Sequence, residues 1–384
     1  MRPKVVMACI HPYSSTFQVG SQHLARQFIN HNYDVAYISA PISPFHMFKQ
    51  FDAELLKRIK IYLQGGDYRF GRQLWHYVPF SLFTPVKKPL LQSKYVLRHW
   101  KNVSFPNLKK KLSRLGYADV DIFYFDNLLA YPVMEDINHR KSIVRIMDNH
   151  LGFPGYPNVA KDISRKIRES VDIVVYSAKT LEAYANTFAG KRTPIHLPNG
   201  IDFNAFVGEN NEIPKAIEHI RSPIAVYVGA LEPWFDNELL AYAAEKLSDV
   251  SFLIIGPHEN RLSYLKKLKN IYLIGTVEHK QLHQYLQHCH VGIIPFNVER
   301  YPHLINNVNP LKLYEYMACG LPVVATEWEE LKMLDSPAKL CNSKENFIEN
   351  IEYFAQKKVD KNQYVDYAKQ NSWSNNFKAL LAAI

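Results

Sequence analysis

Short apolar runs, each followed by a polar loop and a helical pattern, recur along this chain, and few folds accommodate such a repeat. The first run, Val5–Ile10, is apolar at every position, as a parallel strand covered on both faces must be. A polar loop (His11–Ser21) follows, then a helical pattern in Leu24, Phe28 and Ile29, then a second strand pattern at Asp34–Ser39. That order is the building unit of a doubly wound α/β fold. Further strands are expected at Ile122–Phe125, Ser142–Met147, Ile173–Ser177 and Ile195–Leu197, with helices near 94–115, 159–170 and 179–188. The turn-forming string Leu197-Pro198-Asn199-Gly200-Ile201-Asp202 then interrupts the pattern. It resumes with strands at Ala225–Val228, Ser251–Ile255, Ile271–Ile274, Val291–Pro295 and Pro322–Thr326. Helices at Asn237–Leu247, Gln281–His288 and about 310–319 lie between them, and 344–356 and 363–383 read as closing amphipathic helices. The expected architecture is two α/β halves, 1–200 and 201–360, facing a cleft. Residues 361–384 are expected to form a helix packing back on the first half. In such sheets ligands bind at the carboxyl ends of the strands.

With 47% hydrophobic and 21% charged residues, disorder and fibrous folds are excluded. No run of about 18 apolar residues offers a spanning helix, and the apolar part after Met1-Arg2-Pro3-Lys4 is too short for a secretory signal. Cys9, Cys289, Cys319 and Cys341 form no CxxC pair, so neither a zinc site nor a disulfide framework is expected. A reducing cytoplasm is the expected compartment. Charge is uneven: residues 1–200 carry 28 Lys and Arg against 14 Asp and Glu, whereas 201–384 carry 18 against 22. The excess concentrates in 57–114, where 14 basic residues face one acid, Asp67, and aromatics such as Tyr68, Trp75, Tyr95 and Trp100 interleave. Such a stretch suits an anionic lipid surface, a nucleic acid or an acidic small substrate; a solvated surface over a few core aromatics is the plainer reading. No RNP motif, KH loop or Cys/His finger is present, so nucleic acid is not the expected partner.

The segment Asn309–Pro322 carries the strongest local signal. Asn309 is a good N-cap and Pro310 suits the first helical position; Gly320 and Pro322 supply the stop. Lys312 is misplaced for stability alone, since a cation in the first turn opposes the helix dipole by about 0.3–1 kcal/mol. A bound phosphate would resolve the conflict, because free N–H groups and the ammonium would converge on it. Glu315, one turn on, could accept hydrogen bonds from ribose hydroxyls. A surface helix with a weak Lys312–Glu315 pair is the alternative.

The string KLYEYMACGLPVVAT resembles the donor-binding helix and following strand of GT-B glycosyltransferases like those of family 4. Leu197–Asp202, Val226–Asp236 and Val291–Phe296 resemble, in order, that family's interdomain linker, the first strand and loop of its second domain, and the strand before its sugar-facing loop. The resemblance implies the GT-B fold, two Rossmann-like domains, and a nucleotide sugar as co-substrate. It implies metal-independent chemistry, and no DxD motif occurs in a suitable loop. Two departures stand out: Asn307 replaces the first glutamate of the Glu–seven residues–Glu pattern, and Glu232–Asp236 replaces the usual basic pair. A closer resemblance is to the inverting, membrane-associated glucuronosyltransferases of xanthan assembly, with a phenylalanine–aspartate loop like Phe235-Asp236 and a lysine before the donor helix contact.

In that likeness the aspartate after the strand resembling Val144–Met147 falls on Asp148, before the loop Asn149–Pro157. Asp148 is the expected general base, accepting the acceptor hydroxyl proton within about 2.6–3.2 Å; capping a turn is its bland alternative. Around a UDP-sugar, the resemblance implies Gly275, Thr276 and Val277 at the uracil edge, Lys312 on the phosphates and Glu315 on the ribose. Gly229 would admit the diphosphate, Phe296 and Leu311 would wall the base or sugar, and Asn307 and Asn309 would contact diphosphate or sugar hydroxyls. Arg300 and His303 could meet the carboxylate of a uronic acid. His11, Gln18, Gly20 and Ser21 are the acceptor-side candidates. The basic 57–114 stretch would hold the enzyme peripherally on the cytoplasmic leaflet, where a lipid-linked saccharide is presented. Competing readings are a retaining transferase, a sugar-nucleotide epimerase and a GT-B-like binding protein without turnover.

Overall fold

Parallel strands buried on both faces cannot alternate polar and apolar residues, and the runs Val5–Cys9 and Val35–Ser39 are accordingly buried throughout. The computed structural model describes residues 2–15, 18–47, 53–149, 160–190, 192–207, 212–257 and 264–384. The expected loop Asn149–Pro157 lies, apart from Asn149, outside the described residues. The chain divides into two compact units: Met1–Pro198 with Phe377–Ile384, and Asn199–Asn376.

In the first unit the strands in chain order are β1 (Lys4–Cys9), β2 (Asp34–Ser39), β3 (Asp67–Arg69), β4 (Leu74–Tyr77), β5 (Phe80–Ser81), β6 (Ser104–Phe105), β7 (Asp119–Phe125), β8 (Asn138–Ile146), β9 (Ile173–Tyr176) and β10 (Ile195–His196). Among the described residues eight of them form one sheet in the order β10-β9-β8-β7-β1-β2-β4-β3, parallel except at the β3–β4 edge. Order reverses between β1 and β7, where Val5–Ala8 pairs with Ile122–Phe125. The helix Gly20–Asn30 packs beside β1 and β2, and Phe28 meets Phe377 edge-on at 5.0 Å.

The basic segment 57–114 also builds core. It contributes β4, whose Leu74, Trp75, His76 and Tyr77 are all buried, and Trp100 is core as well. Flanking charge concealed a strand that pairs with β2. The expected helix over 94–115 is broken into Lys94–His99, a 3-10 turn at Trp100–Val103, strand β6 and a helix Leu108–Arg114. Pro106 explains the break, since it lacks an N–H and disfavours a helical Phe105; Asn107 then caps the new helix through the Lys110 N–H.

The second unit holds β11 (Ile224–Val228), β12 (Ser251–Ile255), β13 (Ile271–Gly275), β14 (Val291–Ile294), β15 (Val323–Thr326) and β16 (Lys339–Cys341). They form one all-parallel sheet in the order β13-β12-β11-β14-β15-β16. This is the order of a Rossmann sheet, with its switch point between β11 and β14. The expected helix over 363–383 is two helices, Asn362–Gln370 and Trp373–Leu381. The chain opens between them to bond Ile201, whose N–H donates to Asn371 O at 3.1 Å and whose carbonyl accepts from Trp373 N at 3.0 Å. Among the described residues no helix is long and apolar enough to cross a membrane.

Candidate functional site

A Rossmann sheet binds ligands outside the carboxyl ends of its strands at the switch point, here after β11 and β14. Three glycines end the neighbouring strands: Gly229, Gly256 and Gly275, with φ of 147°, 154° and 77°. Gly229 N donates to Ile255 O at 2.9 Å and Gly256 N to Gly275 O at 2.7 Å. A Cβ on Gly256 would overlap the Gly229 carbonyl oxygen, whereas one on Gly275 would meet nothing within 4 Å. The edge is thus bare backbone that a ligand can approach closely.

Lys312 extends to that edge. It stands in the first turn of the helix Leu311–Ala318, and its Nζ would lie 3.3 Å from a Cβ on Gly229. The Tyr227 and Phe296 ring centroids are 4.9 and 4.7 Å from the ammonium. Both rings are fixed: the Tyr227 hydroxyl donates to Ala230 O at 3.1 Å, and Phe296 is buried beside Trp328. Burial lowers the Lys312 pKa from 10.5 to about 8, while Glu315 pulls it back up. Among the described residues Lys312 makes no ion pair within 4 Å. A desolvated ammonium at a helix N-terminus, over glycine backbone, is arranged to receive an anion.

Glu315 follows on the same helix and is buried, 7% exposed. Its Oε1 is 2.7 Å from Nε2 of His279, a residue in the turn after β13 that the sequence reading passed over. Of the other donor-side candidates, Thr276 is exposed and Val277 half-buried immediately after β13, and Leu311 and Asn307 are half-buried around the helix start. Arg300 and His303 are exposed, with the Arg300 guanidinium 5.5 Å from the Tyr301 ring.

The expected cap at Asn309 is corrected. Pro310 occupies the N-cap, and no side chain caps this helix. Asn309 instead turns into the core, where its amide donates to Glu330 Oε1 at 3.2 Å and its oxygen accepts from Tyr314 at 3.0 Å. Glu330 is fully buried, and a hydrogen bond to a buried carboxylate is worth more than a cap at an exposed helix end.

In the first unit the switch point between β1 and β7 carries a polar cluster. Asp126, just past β7, accepts hydrogen bonds from Ile10 N at 2.8 Å and from the Ser21 hydroxyl. Ser21 also bonds the Tyr124 hydroxyl at 3.0 Å. A Cβ on Gly20 would overlap the guanidinium of fully buried Arg145. Ser21 and Gly20 are buried: Ser21 bonds Asp126, and Gly20 leaves the room that the Arg145 guanidinium occupies. Gln18 donates to Ser15 O at 3.0 Å and accepts from Arg26 at 3.2 Å. His11 lines a cavity of about 380 Å³ at the carboxyl ends of β1 and β2, together with His46, Glu54 and Arg58.

Asp148 lies two residues past β8. Burial raises its carboxyl pKa from 3.8 to about 6, and Arg145 opposes the shift. A carboxylate so placed is mostly ionised at neutral pH yet more basic than a solvated one. Arg145, Asp126, Gly256 and His279 escaped the sequence reading. The only signal for Arg145 was a cation inside an otherwise apolar strand.

Two families of transferases match this chain. Residues 222–356 match the family described as glycosyl transferases group 1, and residues 7–177 match the N-terminal domain of glucuronosyltransferase GumK. A putative teichuronic acid biosynthesis glycosyltransferase, TuaH of Bacillus subtilis (strain 168), is 26% identical over 272 residues, covering 60% of this chain and 67% of that protein. Among solved structures, sucrose-phosphate synthase from Thermosynechococcus elongatus superposes with a TM-score of 0.67 at 14% identity, covering 100% of this chain and 95% of that one. Anabaena Alr3699/HepE, solved in complex with UDP-glucose, gives 0.62 at 14% identity with both chains fully covered. At such identity these two likenesses concern the fold. The two matched domains and the two Rossmann-like units make this chain a glycosyltransferase of the GT-B fold, its N-terminal part like that of GumK.

Proposed function

We propose that this enzyme transfers a glycosyl group from a UDP-sugar to a lipid-linked saccharide during cell-surface polysaccharide synthesis, inverting the anomeric centre. The observation that carries the proposal is Lys312: a half-buried lysine whose ammonium lies over two aromatic faces and a glycine edge, with no ion-pair partner among the described residues. In the reaction the acceptor hydroxyl oxygen forms a bond to C1 of the sugar as the C1–O bond to UDP breaks. Asp148 takes the hydroxyl proton, and the electron pair leaves with UDP. Lys312 and the adjoining helix N–H groups offset the charge that develops on the departing diphosphate. In this proposal that charge is met without a metal ion.

UDP is chosen because a fold neighbour is solved with UDP-glucose, and a polysaccharide acceptor because TuaH is named for teichuronic acid biosynthesis. UDP-glucuronate is the first donor to test, since the matching N-terminal domain is that of a glucuronosyltransferase. Arg300 and His303 are the side chains proposed to meet its carboxylate. A membrane-presented acceptor is supported by the exposed apolar residues Leu56, Leu63, Tyr68, Phe70, Leu82, Leu90, Tyr95 and Phe105, interspersed with the basic residues of 57–114. Lys and Arg there contribute about 1 kcal/mol each at an anionic surface, which supports a peripheral position on the inner face of the membrane.

The test is a donor screen with a polyprenyl-diphosphate-linked acceptor, read by product mass and anomeric NMR. Transfer from UDP-glucuronate with inversion is expected. Retention, or turnover of donor without acceptor, would replace this reading by a retaining transferase or an epimerase. Binding should be stronger to anionic than to neutral vesicles and should fall with salt; equal binding to both removes the electrostatic anchor.

A further inference from the structure

Glu315 is a carboxylate in a buried place, and what holds it decides what it can offer a ligand. His279 approaches from the turn His279–Gln281, four residues past Gly275, and brings Nε2 to 2.7 Å from Glu315 Oε1. The imidazole is itself braced, its ring edge-on to Phe206 at 5.4 Å between centroids. One oxygen of Glu315 is therefore committed, and among the described residues Oε2 has no hydrogen bond from the protein. The same helix carries Lys312 one turn earlier, at the glycine edge. A carboxylate clamped through one oxygen presents the other at a fixed position as an acceptor only.

We infer that His279 is a specificity-determining positioning residue: by clamping Glu315 through Oε1 it keeps Oε2 aimed at a ribose hydroxyl, so that the site prefers ribonucleoside over 2′-deoxyribonucleoside diphosphates. The inference rests on the nucleotide site proposed above and adds to it the residue that makes sugar recognition selective. A charged acceptor lost to a ligand that lacks its hydroxyl costs roughly ten- to a hundredfold in affinity. The clamp is what keeps that loss large; a Glu315 free to rotate would find water or another donor instead.

The experiment is calorimetric titration of the full-length protein with UDP and with 2′-deoxy-UDP, in wild type, His279→Phe, His279→Gln and Glu315→Gln. Wild type should prefer UDP by roughly tenfold or more. His279→Phe keeps a ring against Phe206 but removes the donor; its preference should collapse to within about threefold, chiefly through weaker UDP binding, with 2′-deoxy-UDP little changed. His279→Gln restores an N–H donor and should recover much of the preference, and Glu315→Gln should lose it. In turnover, His279→Phe should raise the donor KM and leave kcat close to wild type. Equal weakening of both ligands by His279→Phe would assign the histidine a merely structural part and overturn the inference, as would a preference left intact. If wild type binds neither ligand, the nucleotide reading itself fails and takes this inference with it.

Discussion

Replacing Lys312 by methionine should move stability and ligand affinity in opposite directions. The ammonium has a folded-state pKa of about 8 against 10.5 when solvated, so keeping it charged in the fold costs about 3 kcal/mol at pH 7. The Tyr227 and Phe296 faces return about 1–2 kcal/mol of that, leaving a net penalty of about 1–2 kcal/mol. Methionine fills the same volume without a charge and should raise the melting temperature of the second unit by about 2–8 °C. The pH dependence has a definite sign. Between pH 8 and 10.5 the unfolded chain binds the proton that the folded chain has released, so wild-type stability rises with pH in that window. The advantage of Lys312→Met should therefore shrink from pH 8 upward and vanish near pH 10.5. UDP binding should weaken by roughly ten- to a hundredfold, the worth of a hydrogen bond to a charged group. Scanning calorimetry at pH 7 and 9.5, with and without UDP, reads all three effects. A variant less stable than wild type at pH 7, or one binding UDP within threefold of wild type, would refute the reasoning.

Three further substitutions test other features of the enzyme. Asp148→Asn should abolish transfer while leaving UDP affinity intact, and wild-type kcat/KM should fall below about pH 6 as the carboxyl takes up its proton; a flat acid limb, or surviving transfer, would move the base elsewhere. Because its folded pKa is raised, stability is lost as pH rises from about 3.8 to about 6, so Asp148→Asn should also gain about 3 kcal/mol at pH 7 by denaturant titration. Gly256→Ala drives a Cβ into the Gly229 carbonyl and should cost about 3 kcal/mol or more. Gly275→Ala, with open space around it, should cost only the roughly 1–2 kcal/mol of left-handed backbone; similar losses at both positions would contradict the packing described.

Strands made of unbroken apolar residues were legible from sequence, and Ser251–Ile255 falls on its expected residues. The place of Lys312 in the first turn of a helix was legible, and its opposition to the helix dipole is what singled it out as a candidate. What could not be read depends on partners distant in the chain. Strand β4 hides among basic residues because its burial comes from β2. The Asn309 cap loses to Glu330, 21 residues on, whose buried carboxylate needs the amide. Arg145 and Gly20 fit each other across the first unit, and His279 meets Glu315 over 36 residues. Local propensity carries no record of such pairings, and functional sites are built largely from them.

The account stands or falls on where the nucleotide sits. A structure of the enzyme with UDP bound should place the diphosphate against the Lys312 ammonium and the Gly229 backbone, with the ribose toward Glu315. Diphosphate density away from the start of the helix Leu311–Ala318, with Lys312 still enclosed by its two aromatic rings and untouched, would contradict it.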